Sequence, residues 1–272
     1  MDAALANRLG ASVRAADPDR YFSALFAPAP LRPFLFALYA FNAEVARVAE
    51  TVREPMLGAI RLEWWRETAE GAAKGVPRNH DVARGLAALF AEKSARLEEF
   101  EGLIAARAFD SSADHFADFA ALENYLDASG GRLMRLAAEL LGAAPQQAVL
   151  VTRDAARAYG LTGLLRSLPF HNSRHKLYLP LDLLSALEMT PEQFFHLEKT
   201  DTRLAAAERQ GALKARDYFL EARKAPRAQG ALAAILPAAL VPVYLHRLLR
   251  GRDVPIHRRQ MALLSAAMKK KL

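Results

Sequence analysis

The stretch that decides the fold is FLFALYAFNAEVARVAETVR, residues 34–53. Apolar side chains recur in it at steps of three and four residues, from Phe34 to Val52, which is the spacing of one face of an α-helix. Pro33 stands just before the stretch and suits the first turn of a helix. The stretch therefore predicts a long amphipathic helix that ends near Arg53 and buries its apolar face.

The rest of the chain indicates the same kind of structure. Hydrophobic residues make up 52% of the sequence, and runs of β-branched residues are few. Further helices are predicted over about 55–75, 81–109 in two parts, 116–141, 145–168, 201–225, 229–252 and 255–271. Because no repeat and no low-complexity linker separates them, we predict one all-α domain, a helical bundle over residues 1–272 with a basic C-terminal element over about 229–272.

Several function classes are disfavoured by composition. The chain has no cysteine, so thiolate metal sites, disulfides and cysteine nucleophiles are absent. The first twenty residues contain three aspartates and lack the apolar core of a signal peptide. The most apolar stretch, residues 231–245, is short for a membrane span and contains Pro237 and Pro242. We expect a soluble or peripheral protein.

Positive charge is concentrated at the C-terminus. The chain carries a net charge of +7, and residues 222–272 contain eleven lysines and arginines against one acid, Asp253. This element ends in Lys269, Lys270 and Lys271, which we predict to dock on an anionic membrane surface or an acidic protein partner. Nucleic acid is not predicted as a partner, because aromatic residues are not interleaved with the basic ones.

A second region, YGLTGLLRSLPFHNSRHKLYLPLDLL at residues 159–184, has an unusual charge bias. No carboxylate occurs between Asp154 and Asp182, whereas Arg166, Arg174 and Lys176 lie in that interval together with His171. Such a cluster favours an anion, a lipid headgroup or an acidic segment as its ligand. A metal is not predicted there, because no acid accompanies His171 and its neighbouring histidine.

Helical enzymes that ionise an allylic diphosphate need carboxylates four residues apart on facing helices, where divalent cations bridge them to the phosphates. The first long helix offers Glu44, Ala46, Arg47 and Glu50 at the corresponding depth, and residues 166–171 offer no carboxylate at all.

Short strings along the chain resemble the squalene and phytoene synthases, the head-to-head isoprenyl synthase family. They are RYFS at 20–23, LYAF at 38–41, Tyr125 with SGG at 129–131, GLTGLL at 160–165 and YLP at 178–180. The resemblance implies the isoprenyl synthase fold and two DxxxD motifs for Mg²⁺. Those motif positions fall here on Ala46 and Glu50, and on Ser167 and His171. The resemblance also implies that Tyr39, Phe41 and Tyr125 line the substrate cavity.

Four strings resemble a catalytically silent branch of that family, the assembly factors of mitochondrial respiratory complex I. They are AFNAEVA at 40–46, WW at 64–65, LENY at 122–125 and PFHNSR at 169–174. The resemblance implies a non-catalytic assembly factor for a respiratory NADH dehydrogenase, with a subunit of that complex as partner and no cofactor. The expected location is the bacterial cytoplasm, on the inner face of the membrane.

Two alternatives stay open at this point. One is a divergent prenyltransferase acting on isoprenyl diphosphates, which would use Glu50 and Mg²⁺. The other is a protein that binds an isoprenoid lipid and catalyses nothing, with its ligand held at Arg166, Arg174 and Lys176.

Overall fold

The computed structural model describes residues 1–52, 54–93, 95–198, 200–226, 230–248 and 253–272. Within these ranges every regular element is helical and no strand occurs, so the all-α prediction is confirmed. The α-helical segments are α1 Ala3–Ala16, α2 Pro18–Ala24, α3 Arg32–Ala46, α4 Val48–Thr51, α5 Pro55–Ala73, α6 Asp81–Lys93, α7 Leu97–Ala106, α8 Ala108–Ser111, α9 Phe119–Leu126, α10 Arg132–Leu140, α11 Pro145–Arg166, α12 Leu168–Asn172, α13 Leu181–Ala186, α14 Pro191–Phe195, α15 Thr202–Ala222, α16 Leu232–Ile235, α17 Val241–Leu248 and α18 Ile256–Lys269.

The stretch FLFALYAFNAEVARVAETVR forms most of α3 and all of α4. Phe34, Leu38 and Val45 are buried as predicted. The helix is not continuous to residue 53, however, because the backbone tightens at Arg47, where the amide of Glu50 bonds back only three residues to the Arg47 carbonyl. The predicted end at residue 53 lies outside the described residues. The break places α4 as a separate short element beside the later helices.

The core consists of two large apolar clusters. One is formed mainly by α1, α3, α5, α6, α7 and α10, and the other by α9, α11, α13, α15 and α17. Helix α11 connects them, since it packs against α10 on one side and against α15 and α17 on the other. This central helix carries the first part of the basic region noted in the sequence.

The predicted helix over 116–141 is interrupted by a π-helical segment, Asp127–Gly131. A Cβ at Gly131 would come within 3.1 Å of the Leu126 carbonyl oxygen, so a small residue is needed for the widened turn. Asp127 accepts two hydrogen bonds from Arg157 of α11, at 2.8 and 2.6 Å. Gly131 therefore fits the tight backbone of the π-helical turn, whereas a Cβ at Gly130 would meet no atom within 4 Å.

Two other helix predictions need correction. The helix predicted over 145–168 ends at Arg166, and a second short helix, α12, begins at Leu168 with Pro169 in its first turn, where proline is tolerated. The apolar stretch 231–248 is split into α16, a 3-10 segment Leu236–Leu240 and α17, since Pro237 cannot donate a helical hydrogen bond.

The C-terminal element ends in α18. Lys270, which follows the last residue of this helix, has a left-handed backbone conformation. Lys269, Lys270 and Lys271 are all exposed. Over the ranges that the structure describes, no helix combines the length and the apolar character needed to cross a membrane.

Candidate functional site

A central cavity of about 1410 Å³ opens beside α3, α4, α11 and α12, with the π-helical segment on its wall. Gly130 and Gly163 both line it, and a Cβ built at either would meet no atom within 4 Å. The volume exceeds the roughly 300–1,000 Å³ of common small-molecule pockets. The space is therefore large enough for a long ligand.

The two motif regions meet in this cavity. Ala46, Glu50, Ser167 and His171 all line it, although more than a hundred residues separate the two pairs in the sequence. Helix α3 with α4 supplies the first pair, and the junction of α11 with α12 supplies the second. A methyl group, a hydroxyl and an imidazole thus face the cavity beside one carboxylate.

All three predicted anion-binding cations line the cavity, and two of them, Arg174 and Lys176, donate hydrogen bonds to backbone carbonyls. The Arg174 guanidinium donates to the carbonyl oxygens of Ala49 and Glu50, at 3.0 and 2.6 Å. The Lys176 ammonium donates to the carbonyl oxygens of Phe109 and Ser112, at 2.6 and 2.8 Å, and also contacts a third carbonyl at residue 114. Both side chains therefore hold neighbouring segments in place.

Arg166 differs from these two cations. It is exposed, lines the cavity at the end of α11, and enters no ion pair with the part of the chain that the structure describes. Its guanidinium lies 3.7 Å from the centre of the Tyr244 ring, a cation–π contact that leaves its edge N–H groups available. Of the three cations named from the sequence, Arg166 is the one that donates no hydrogen bond to the part of the chain that the structure describes.

Tyr125 also lines the cavity, whereas Tyr39 and Phe41 do not. Phe41 is fully buried in the first core cluster, where its ring contacts those of Trp65 and Phe100. Tyr39 is buried as well, and this burial raises the pKa of its phenol above the ordinary range. The structure thus places these two side chains in the core, and a binding role for them is not supported by their position.

Sequence reasoning missed a buried polar cluster centred on Asp110. Its carboxylate accepts hydrogen bonds from Tyr125, at 2.6 Å, and from Tyr178, at 2.9 Å. Arg107 donates to it at 3.2 Å and also to the Tyr125 hydroxyl at 3.1 Å. Burial raises the pKa of both phenols, so they remain neutral donors. No short-range signal could have revealed this cluster, because its members come from three separate segments.

His171 is the imidazole at the cavity wall. Its ring lies 4.6 Å from that of Tyr178, centroid to centroid. Burial is the main cause that lowers the pKa of His171; Asp110 opposes it, Lys176 and Arg174 add to it, and the resulting pKa is about 4. At neutral pH this position therefore presents an uncharged donor and acceptor where the family motif has an aspartate.

A second missed cluster joins the cavity wall to the C-terminal helix. Asp19 is buried and accepts hydrogen bonds from Tyr159, at 3.2 Å, from Arg259 of α18, at 3.0 Å, and from Tyr244. Tyr244 is the ring over which Arg166 lies. The basic C-terminal element is therefore tied to the cavity through a continuous polar contact chain.

The fold and the large central cavity define the class of the protein, the isoprenyl synthase type. A crystal structure of a dehydrosqualene synthase with ligand superposes with a TM-score of 0.84 at 15% identity, covering 98% of this chain and 96% of that one. A squalene synthase from Alicyclobacillus acidocaldarius superposes with a TM-score of 0.72 at 17% identity, covering 98% and 94%. At these identities the two structures show the fold alone.

The family assignment comes from the sequence. The squalene/phytoene synthase family profile matches residues 13–265, and the chain belongs to this family.

Relatives of the chain include both an assembly factor and an enzyme. The chain is 29% identical over 182 residues to NADH dehydrogenase (ubiquinone) complex I, assembly factor 6, of Homo sapiens, covering 67% of this chain and 55% of that protein. It is 28% identical over 184 residues to a presqualene diphosphate synthase of Rhodopseudomonas palustris, covering 66% and 62%. The matched region spans little more than half the length of these relatives.

The Mg²⁺ that the DxxxD motifs of the family imply does not fit the residues present. Mg²⁺ takes octahedral oxygen coordination, usually through carboxylates and phosphates. Of the four motif positions only Glu50 carries a carboxylate, and Asp110, elsewhere in the cavity, is occupied by two tyrosines and Arg107. No group of three or more histidine or acidic side chains is arranged for a metal ion in the described ranges.

Proposed function

We propose that this chain is a non-catalytic member of the squalene/phytoene synthase family that assists the assembly of a respiratory NADH dehydrogenase at the membrane surface. The observation that carries the proposal is the cavity wall at Ala46, Glu50, Ser167 and His171, which occupies the position of the metal motifs with one carboxylate in place of four. The relatives described as complex I assembly factors support the same role.

The chemistry of diphosphate ionisation explains why this wall matters. The leaving diphosphate carries several negative charges, and divalent cations held by carboxylates must neutralise them as the bond breaks. One carboxylate at Glu50 does not supply the ligands for such a cluster. The neutral imidazole at His171 and the methyl group at Ala46 supply none.

The first experiment tests for turnover. Purified protein is incubated with farnesyl or geranylgeranyl diphosphate and Mg²⁺, and released diphosphate is measured against a protein-free blank. We expect no release above the blank. Turnover that disappears in Glu50→Ala would contradict the proposal and establish the divergent prenyltransferase instead.

The second experiment tests the pathway. Deleting the gene in its source organism should lower NADH dehydrogenase activity in isolated membranes, and the wild-type gene should restore it. We expect Arg166→Ala to fail in this rescue, because it removes the free cation of the cavity. Arg203→Ala is the matched control, since Arg203 is exposed and, among the described residues, forms an ion pair with Asp201 alone, at 2.9 Å. Unchanged activity in the deletion strain argues against the assembly role.

Arg166 also favours a second candidate function, the binding of an isoprenoid lipid whose head is one phosphate or carboxylate group. The Arg166 guanidinium can meet an anion at the cavity, and the open space at Gly130 and Gly163 accommodates a tail. A single guanidinium matches one phosphate or carboxylate better than a diphosphate with its metal ions.

Calorimetry with farnesyl monophosphate in EDTA tests this candidate. We expect saturable binding that does not change when Mg²⁺ replaces EDTA, and that weakens at least tenfold in Arg166→Gln. Farnesol, which lacks the anion, should bind more weakly than the monophosphate. Binding that requires Mg²⁺, or that is equally strong in Arg166→Gln, would exclude the candidate.

A further inference from the structure

A second groove, of about 490 Å³, lies between α15 and α17. It shares no lining residue with the central cavity. Its floor is apolar and buried, formed by Ala212 and Phe219 of α15 and by Val241 and Leu245 at the start and middle of α17. We call this surface the α15–α17 groove.

The rim of the α15–α17 groove carries exposed leucines. Leu213 is 41% exposed and Leu220 is 39% exposed, and both line the groove. Single exposed leucines on a protein surface need no explanation, but two that continue an apolar floor make one contiguous surface. Because they are seven residues apart, they lie on the same face of α15, two turns from each other.

The charged groups on this rim are all basic. Arg209 and Arg216 of α15 and His246 of α17 line the groove, and no acidic side chain of the described residues does. Elsewhere on the same helix, Lys214 pairs with Glu123 at 3.4 Å. Arg209 and Arg216, by contrast, form no ion pair with any acid in the described ranges.

The order along α15 is arginine, leucine, arginine, leucine, at positions 209, 213, 216 and 220. This stripe is about 17 Å long, or three helical turns. Positive charge is thus repeated along the groove instead of being gathered at one end. A helix with acidic residues along its edge matches that distribution.

We propose that the α15–α17 groove is a docking site for an amphipathic helix of a partner protein, with leucine-like side chains filling the apolar floor and acidic side chains pairing with Arg209 and Arg216. A helix laid between two helices packs its ridges into their groove, which is a common mode of peptide recognition. The charges of the rim set the preference for an acidic partner and its orientation. This site goes beyond the proposed function of the cavity and does not depend on it.

A selection experiment with the full chain tests the proposal. The probe is a phage-displayed helical library with leucine fixed at spacings of four, three and four residues, and with its other positions varied among Glu, Lys, Gln and Ser. We expect binders to be enriched in Glu beside the leucines. A selected peptide should bind with an affinity that falls at raised salt concentration.

Variants locate the binding surface. The double substitution Leu213→Gln with Leu220→Gln should weaken a selected peptide at least tenfold. Arg209→Gln with Arg216→Gln should remove the preference for Glu over Lys and reduce the salt dependence. Asp217→Asn is the matched control, since Asp217 is an exposed residue of α15 outside the groove. The affinity of this variant for the selected peptide should be unchanged. Circular dichroism melts confirm that each variant is folded.

Four outcomes would overturn the proposal. The first is a selection that yields no peptide able to distinguish the wild type from the leucine double variant. The second is a selected peptide whose binding is lost in Arg166→Gln but kept in both double variants. The third is binding to vesicles of equal phosphatidylglycerol and phosphatidylcholine that the leucine double variant abolishes, which would make the groove a lipid site. The fourth is a wild-type dimer in sedimentation that the same variant dissociates, which would make it a self-association surface.

Discussion

Acidification from pH 7 to pH 5 should destabilise this protein through His171 by about 2 kcal/mol. Burial beside the Tyr178 ring lowers the pKa of His171 to about 4 in the folded chain, against 6.5 for a free imidazole. As the pH falls, the unfolded chain therefore takes up this proton first. The stabilisation is complete above about pH 6.5 and is lost progressively as the pH falls toward 4.

The magnitude follows from proton linkage. A pKa difference of about 2.5 between the two states corresponds to an upper limit of about 3.4 kcal/mol, at about 1.36 kcal/mol for each pKa unit. Between pH 7 and pH 5 about half of that limit is reached, because the folded-state imidazole is still largely neutral at pH 5. The effect is large compared with a total stability of about 5–15 kcal/mol.

Urea unfolding of the wild type and of His171→Gln at pH 7 and pH 5 measures this contribution. The loss of unfolding free energy between the two pH values should be smaller in His171→Gln by about 2 kcal/mol. His257→Gln, an exposed histidine of α18, should lose as much as the wild type. If wild type and His171→Gln lose the same amount, the imidazole is not held neutral by burial, and its description as an uncharged cavity group is wrong.

Three further predictions address the cavity, the core and the C-terminus. Asp110→Asn should lower the free energy of unfolding in urea by about 3–5 kcal/mol, because it leaves the Arg107 charge buried without its partner. The control Asp114→Asn, at an exposed residue, should cost little, and a loss below about 1 kcal/mol in Asp110→Asn would contradict the prediction. Phe41→Ala should also cost about 3–5 kcal/mol but leave the affinity for farnesyl monophosphate unchanged within twofold, and a selective loss of affinity would return Phe41 to the binding site. Replacing residues 269–271 by alanine should reduce flotation with anionic vesicles but not with neutral ones, and flotation that ignores both the substitution and salt would remove the membrane-docking prediction.

The helices of this protein were predictable wherever one local signal determined them. Pro55 and Pro145 stand in the first turns of α5 and α11, and the apolar steps of α3 identify its buried face. Predictions failed where the apolar spacing continues but the regular helical hydrogen bonding does not. The apolar spacing passes through Arg47 unchanged, yet the helix is divided there by a change in hydrogen bonding that the spacing does not encode.

The site was predictable in its location and not in its contacts. The sequence shows that Arg166, Arg174 and Lys176 share a region without acids, and all three do line the cavity. It does not show that backbone carbonyls more than sixty residues away receive the donors of Arg174 and Lys176. A cation without a nearby acid is therefore an ambiguous signal, because carbonyl oxygens satisfy it as well as a ligand does.

These carbonyl contacts connect the two motif regions of the cavity. Arg174 donates to the carbonyl oxygens of Ala49 and Glu50 near the C-terminal end of α4, the short helix that carries Glu50. The guanidinium from the second motif region thus holds the backbone of the first motif region directly. In a metal-dependent site the two regions are joined through cations and diphosphate, so that ligand binding and local structure are coupled. Here the Arg174 side chain joins the two regions directly, through its hydrogen bonds to the backbone of α4.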